Sequence, residues 1–230
     1  MSTRAATSTC SPPCSASVGG VELLESWPLG EATIDLRDRL LAAYDDPGRG
    51  YHDRRHLAEV VAHVAELRGE LPRPDIETMQ WPPPHMHAVL LAAWFHDAVY
   101  TGARDDEERS AALAEQELTA VGCAEALIAE VARLVRLTVT HRPDPGDARG
   151  AVLCDADLAI LAAPPERYAE YVAGVRREYA HLDDGTFRAG RAAVLRELAA
   201  GDSLFHTATG RELWEDAARA NIADELRRLG

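Results

Sequence analysis

His96 and Asp97 stand side by side at the end of an almost uninterrupted apolar run, 88–95 (AVLLAAWF), and are followed at once by Ala98 and Val99. A helix with no polar face belongs inside a protein. A carboxylate carried into such a core costs several kcal/mol unless it is paired, hydrogen-bonded or bound to a metal. A divalent metal ion satisfies both groups at once, because neutral imidazole and carboxylate are ordinary ligands. A buried His–Asp hydrogen bond meets the same need, and the dipeptide alone does not choose between them.

Two further segments carry polar groups into apolar faces. His56 opens a helix whose face is Leu57, Val60, Val61, Val64 and Leu67. In the segment 151–161 (AVLCDADLAIL), Asp155 and Asp157 are two residues apart, so on a helix they cannot share a face. One points inward and the other away. Three separate intrusions into one core are costly unless they converge. Convergence gives two imidazoles and two carboxylates, a site for a divalent metal with room for water.

The elements that must position these groups read as helices throughout. Apolar spacing predicts helices over 31–45, from His56 through Leu67, 86–98, from Asp105 to Val121, 124–140, 151–161, 166–181, 187–199 and 211–228. Asp105 with Glu108 fits a capping-box spacing. The segment 71–84 is Pro-rich and reads as a loop, and residues 1–20, small and polar with Pro and Gly, read as a disordered tail. No strand-like alternation of useful length occurs. The expectation is a single all-α domain over 21–230.

Composition narrows the function. Asp plus Glu outnumber Lys plus Arg by 38 to 24, a formal charge of -14 that repels phosphate backbones and argues against duplex nucleic acid as a partner. No apolar run is long enough for a membrane span, and the N-terminus lacks the hydrophobic stretch of a secretory signal. The four cysteines, Cys10, Cys14, Cys123 and Cys154, are too scattered for a disulfide scaffold and read as reduced thiols in a cytoplasmic protein.

The order His…His-Asp…Asp on consecutive helices resembles the HD superfamily of metal-dependent phosphohydrolases. The likeness extends to Tyr51-His52-x-x-x-His56, Trp94-Phe95-His96-Asp97-x-x-Tyr100, Glu107-Glu108-x-Ser110-Ala111, Thr138-x-x-His141, Asp155-Ala156-Asp157-Leu158 and Arg176-x-Glu178-Tyr179, which are similar to the small "predicted metal-dependent HD phosphohydrolase" branch, over about residues 25–228. The resemblance implies a helical bundle with one divalent ion (Mn, Mg, Fe, Ni, Co or Zn) at its centre. It implies His56, His96, Asp97 and Asp157 as ligands, Asp157 being preferred to Asp155 for its Ala-Asp-x-Leu-like context. It implies hydrolysis of a phosphate ester or anhydride, a nucleotide among the candidates, by a metal-activated water, in a monomer or homodimer.

The resemblance also implies Asp97 as a proton acceptor as well as a ligand. Glu107, on the inner face of its helix, is a candidate to orient or deprotonate the water. His141, Arg176 and His52 are candidate substrate-binding groups. Their plainer readings are a helix-end histidine, an ion pair of Arg176 with Glu178, and a helix cap. Arg191 is a further phosphate candidate, while His63, His85, His87, His181 and His206 read as surface or packing residues. Asp53 and Asp106 stand where the branch usually has Asn, adding negative charge near the site. A non-catalytic metal or nucleotide sensor is the alternative. A di-iron oxygenase ranks lower, because only His52 and His141 are spare ligands nearby.

Overall fold

In the computed structural model, which describes residues 23–72 and 84–230, the ordered elements are all helical and no strand occurs among those residues. The tail at 1–20, Cys10, Cys14 and most of the Pro-rich segment lie outside the described residues. In chain order the helices are α1 (Ile34–Tyr44), α2 (Arg54–Glu66), α3 (His87–Phe95), α4 (Asp106–Ala120), α5 (Glu125–Leu137), α6 (Ala148–Leu158), α7 (Pro165–Glu178), α8 (Asp184–Ala199) and α9 (Ala208–Leu229), with short 3-10 turns such as Ala159–Ala162. No described helix is long and apolar enough to cross a membrane.

The apolar run at 88–95 sets the architecture. Every residue of α3 from Ala88 to Phe95 is buried, so it must be covered on all sides. It packs against α2, α5 and α6, with α4 laid along α5 outside it. The neighbours bury one face each: Leu57, Val60, Val61 and Val64 of α2, and Val131, Leu134 and Val135 of α5. The Trp94 indole N–H donates to Ser26 Oγ at 3.1 Å, tying the chain's first described turn to the core. The second layer is α7–α9, with α9 packed on α8 and on the Ala159–Ala162 turn.

Several boundaries differ from expectation. Helix α3 stops at Phe95, so His96 is its last, capping residue and Asp97 lies in the following turn. Helix α5 stops at Leu137, and Thr138–His141 unwinds. The capping box at Asp105 does not form. The neighbouring Asp106 reaches back instead, accepting from the Thr101 and Ala103 amides at 2.6 and 3.0 Å. A carboxylate at a helix start serves either its own helix or the loop before it, and here the loop takes it.

One backbone contact holds the two layers in register. An ideal Cβ on Gly174, in the middle of α7, would lie 2.6 Å from the Gly50 carbonyl oxygen, and one on Gly50 would lie 2.2 Å from the Gly174 oxygen. Helix propensity alone favours Ala over Gly by roughly 0.5–1 kcal/mol in such a position. The overlap with rigid backbone reverses that sign. Gly174→Ala is expected to destabilise the protein by about 2–3 kcal/mol, read as a lowered thermal midpoint, whereas an unchanged or raised midpoint would show that the two backbones can separate at no cost.

Candidate metal centre

Three chain segments meet at the end of α3. His56 is turned inward by the start of α2, where the Asp53 carboxylate accepts the amide protons of Arg55 and His56 at 2.9 and 3.1 Å. His96 ends α3, and Asp97 follows in a turn held by Arg49, whose guanidinium donates to the carbonyls of His52, Asp97 and Ala98. The Tyr44 hydroxyl accepts the Asp97 amide at 3.3 Å. Asp157 arrives on the last turn of α6.

The resulting cluster is tight. His56 Nε2 and His96 Nε2 are 3.1 Å apart, and both histidines are 1% exposed. Asp97 Oδ2 lies 3.3 Å from His56 Nε2 and 3.1 Å from His96 Nε2. Asp157 Oδ1 lies 3.3 and 3.6 Å from the same two nitrogens. The ligand atoms of His56, His96 and Asp97 all fall within 4.8 Å of one another, a group that could hold a metal ion.

Hydrogen-bond partners fix the tautomers. His96 Nδ1 sits 2.8 Å from the Ala93 carbonyl, which can only accept, so Nδ1 carries the proton and the neutral ring presents its Nε2 lone pair to the cluster. His141 Nε2 is 2.8 Å from Asp157 Oδ2, and His52 Nδ1 is 2.8 Å from Glu178 Oε2. Both carboxylates are acceptors, so each histidine donates there. His206 Nε2 donates to the His141 carbonyl at 2.8 Å. His141 has φ of 51°, the left-handed region that non-glycine residues enter seldom.

Protons and charges are strongly coupled here. For Asp97, burial alone would raise the carboxyl, but His96, His52 and His56 hold it well below the usual range. Asp157 is likewise held well below its usual range, burial being outweighed by His96 and by hydrogen bonds from His141 and His56. Burial works to lower His56, yet the hydrogen bonds to Asp157 and Asp97 raise it to about 8. His96 is also raised, because Asp97 and other neighbouring groups outweigh burial. The two carboxylates favour positive charge among the imidazoles. A divalent cation supplies positive charge there, so the donor set fits one.

No protein-family model, curated protein or solved structure matches this chain. Function has to be argued from the site itself.

Of the candidate ligands, His56, His96, Asp97 and Asp157 come together. Asp155 does not: it is fully buried and accepts the His206 and Thr207 amides, both at 2.8 Å, at the start of α9. His52 and His141 flank the cluster and line a cavity of about 970 Å³. Glu107 is half-buried and outside that cavity lining. Burial, then the charges of Asp97 and Asp106, raise its carboxyl, with His141 opposing. Arg176 is not brought to the site. Its guanidinium holds the α7–α8 corner through the carbonyls of Tyr179 and Leu182 and the carboxylate of Asp184, and it does not pair with Glu178. Asp53 and Asp106 are likewise occupied by local backbone rather than facing a substrate.

Glu178, read from the sequence as a partner of Arg176, His206, read as a surface or packing residue, and Arg49, not singled out, all support the site instead. Glu178 Oε1 accepts the amides of Gly50, Tyr51 and His52 at 2.7–2.9 Å, and Oε2 takes His52 Nδ1 and the Tyr100 hydroxyl. Its place in the Arg176-x-Glu178-Tyr179 motif was the available signal. Although burial opposes it, the His52 hydrogen bond and charge and the backbone amides lower its pKa to about 2. That sign makes its stabilisation fully present above an ordinary glutamate pKa and lost as pH falls toward 2. Glu178→Gln is expected to cost roughly 2–4 kcal/mol at pH 7. The variant should also lose less stability than the wild type between pH 5 and 2 in denaturant titrations; parallel losses would remove this role.

Proposed function

We propose that this protein is a hydrolase of phosphate esters or anhydrides whose His56, His96, Asp97 and Asp157 hold one divalent metal ion. The observation that carries the reading is the convergence of two buried imidazole Nε2 atoms and two carboxylates from three separate segments, one of which, Asp157, also lines a large cavity. The resemblance of the same residues to HD phosphohydrolases supports it. A divalent cation there supplies Lewis acidity, polarising a phosphoryl oxygen and making water acidic enough to react near neutral pH.

The chain's own groups do the rest. His141, whose Nε2–H is directed at Asp157, stands where that carboxylate meets the cavity and orients it. His52 is held by Glu178 and stacked on Tyr100 with ring centroids 4.2 Å apart, so it presents a fixed ring edge toward an incoming phosphoryl group. Glu107, with its raised pKa, takes up a proton more readily than an ordinary carboxylate and serves as a proton store beside Asp97. The reaction forms a P–O bond from water, breaks the P–O bond to the leaving group, and leaves a proton to be carried off. His52 is already taken up by Glu178, a carboxylate outside the cluster, which favours one ion over two.

The test is a phosphatase screen of the purified full chain with Mn2+, Mg2+, Co2+ or Ni2+ against nucleotides and generic phosphoesters. Metal-dependent release of phosphate is expected. Absence of turnover on every substrate with every metal would remove the hydrolase reading.

A further inference from the structure

The cavity beside the cluster combines polar groups, among them His52, Thr140, His141, Asp157, Ser203 and His206, with a larger apolar surface. Its apolar walls include Ile160, Tyr171, Val175, Leu182, Phe187 and Val194, contributed by α7, α8 and the turns beside them. Its volume of about 970 Å³ is at the upper end of ordinary small-molecule sites. Apolar surface continues to its rim. Val139 and Val194, exposed by 57% and 50%, are two of the few large hydrophobic side chains left in water among the described residues, and both belong to this cavity.

The two arginines along the cavity each face a carboxylate. Arg191 pairs with the buried Glu225 at 2.8 and 3.1 Å and lies 4.9 Å from the Tyr171 ring centroid. Arg142 pairs with Glu197 at 3.0 Å, and Glu197 also faces the cavity. All 24 basic residues of the chain are arginine, so no lysine ammonium can swing in from elsewhere. A second or third phosphoryl group would meet a mainly apolar lining whose two arginines already face carboxylates.

We infer that the substrate is a phosphate monoester of an aromatic or alicyclic alcohol, its single phosphoryl group at the His/Asp cluster and its apolar body along α7 and α8. The assignment rests on the metal-site reading above and narrows it from phosphoesters in general to this class, against nucleoside polyphosphates. Hydrolysis forms one P–O bond from water, breaks the P–O bond to the alcohol, and returns a proton to the departing alkoxide.

Binding can be read without turnover. Calorimetry on the Mn2+-loaded full chain compares 1-naphthylmethylphosphonate, methylphosphonate and β,γ-methylene ATP. The naphthyl compound should bind at least about tenfold more tightly than methylphosphonate, from the area of ring it buries, and more tightly than the ATP analogue. Val194→Asp should shrink the naphthyl preference several-fold, while Leu213→Asp, an equally exposed leucine outside the cavity, should leave it intact. Equal binding of the two phosphonates, no binding of either, or tighter binding of the ATP analogue overturns the inference. If the naphthyl preference holds and no phosphate ester is turned over, the hydrolase reading fails and the binding assignment stands.

Discussion

His96→Ala is expected to leave the protein folded and unable to retain a divalent metal. The imidazole Nε2 is 3.1 Å from both His56 Nε2 and Asp97 Oδ2, so its loss opens one corner of the cluster. Removing a partner that merely orients a ligand costs about 10–100-fold in metal affinity. Deleting a direct ligand should cost at least about a thousandfold. The measurement is metal content after dialysis against a weak chelator, together with the thermal shift that bound metal gives the wild type. The shift should vanish in the variant. His63→Ala, whose ring pairs with Glu66 and packs on Trp214, serves as the control. Unchanged metal content in His96→Ala would sink the metal-centre reading outright.

The same experiment has a pH signature. His56 is raised to about 8 by Asp157 and Asp97 against the effect of burial. Its charged form therefore stabilises the metal-free chain below its ordinary value, and that contribution is lost as pH rises through about 8. A metal must displace this proton, so apparent affinity should climb with pH through about 8. A flat profile from pH 6 to 8 would mean that the metal does not replace the His56 proton.

The fold and the centre of the site were legible because they rest on strong local signals. An apolar run without a polar face has to be central, and α3 is. His56 and His96-Asp97 interrupt apolar faces, and such interruptions need a common partner. What could not be read was where long side chains finish. Arg176 looked available because a guanidinium can reach many places. The α7–α8 corner offers it two carbonyls and a carboxylate, and it takes them. Glu178 looked like its partner, but three consecutive amides in the 50–52 turn form a better cradle for a carboxylate than one arginine does. Neither turn geometry nor the meeting of α7 with that loop is encoded in spacing. His206 joins the site for the same reason: the start of α9 is brought to the end of α5 by tertiary packing, and no local pattern announces it.

Asp155 and Asp157 were the pair that spacing alone could only separate, and they make the second large prediction. Both are acidic and two residues apart on α6, yet they face opposite requirements. Asp157 meets His56, His96 and His141 and is held ionised by them. Asp155 meets the start of α9, accepting from the His206 amide with Oδ1 and from the Thr207 amide and hydroxyl with Oδ2, while the Thr207 hydroxyl in turn caps Gly210. Burial raises the Asp155 carboxyl despite those donors, so its acceptor atoms matter there more than its charge. An asparagine supplies one acceptor and turns the other into a donor facing donors. Asp155→Asn should therefore cost about 2 kcal/mol of stability and leave metal stoichiometry unchanged. Asp157→Asn should lower metal affinity by about 100-fold or more, since a neutral amide is a poorer ligand than a carboxylate. Denaturant titration and metal content, measured on both variants, separate the two roles. Metal lost in Asp155→Asn and kept in Asp157→Asn would exchange the assignments, and would require α6 to present its other face to the cluster.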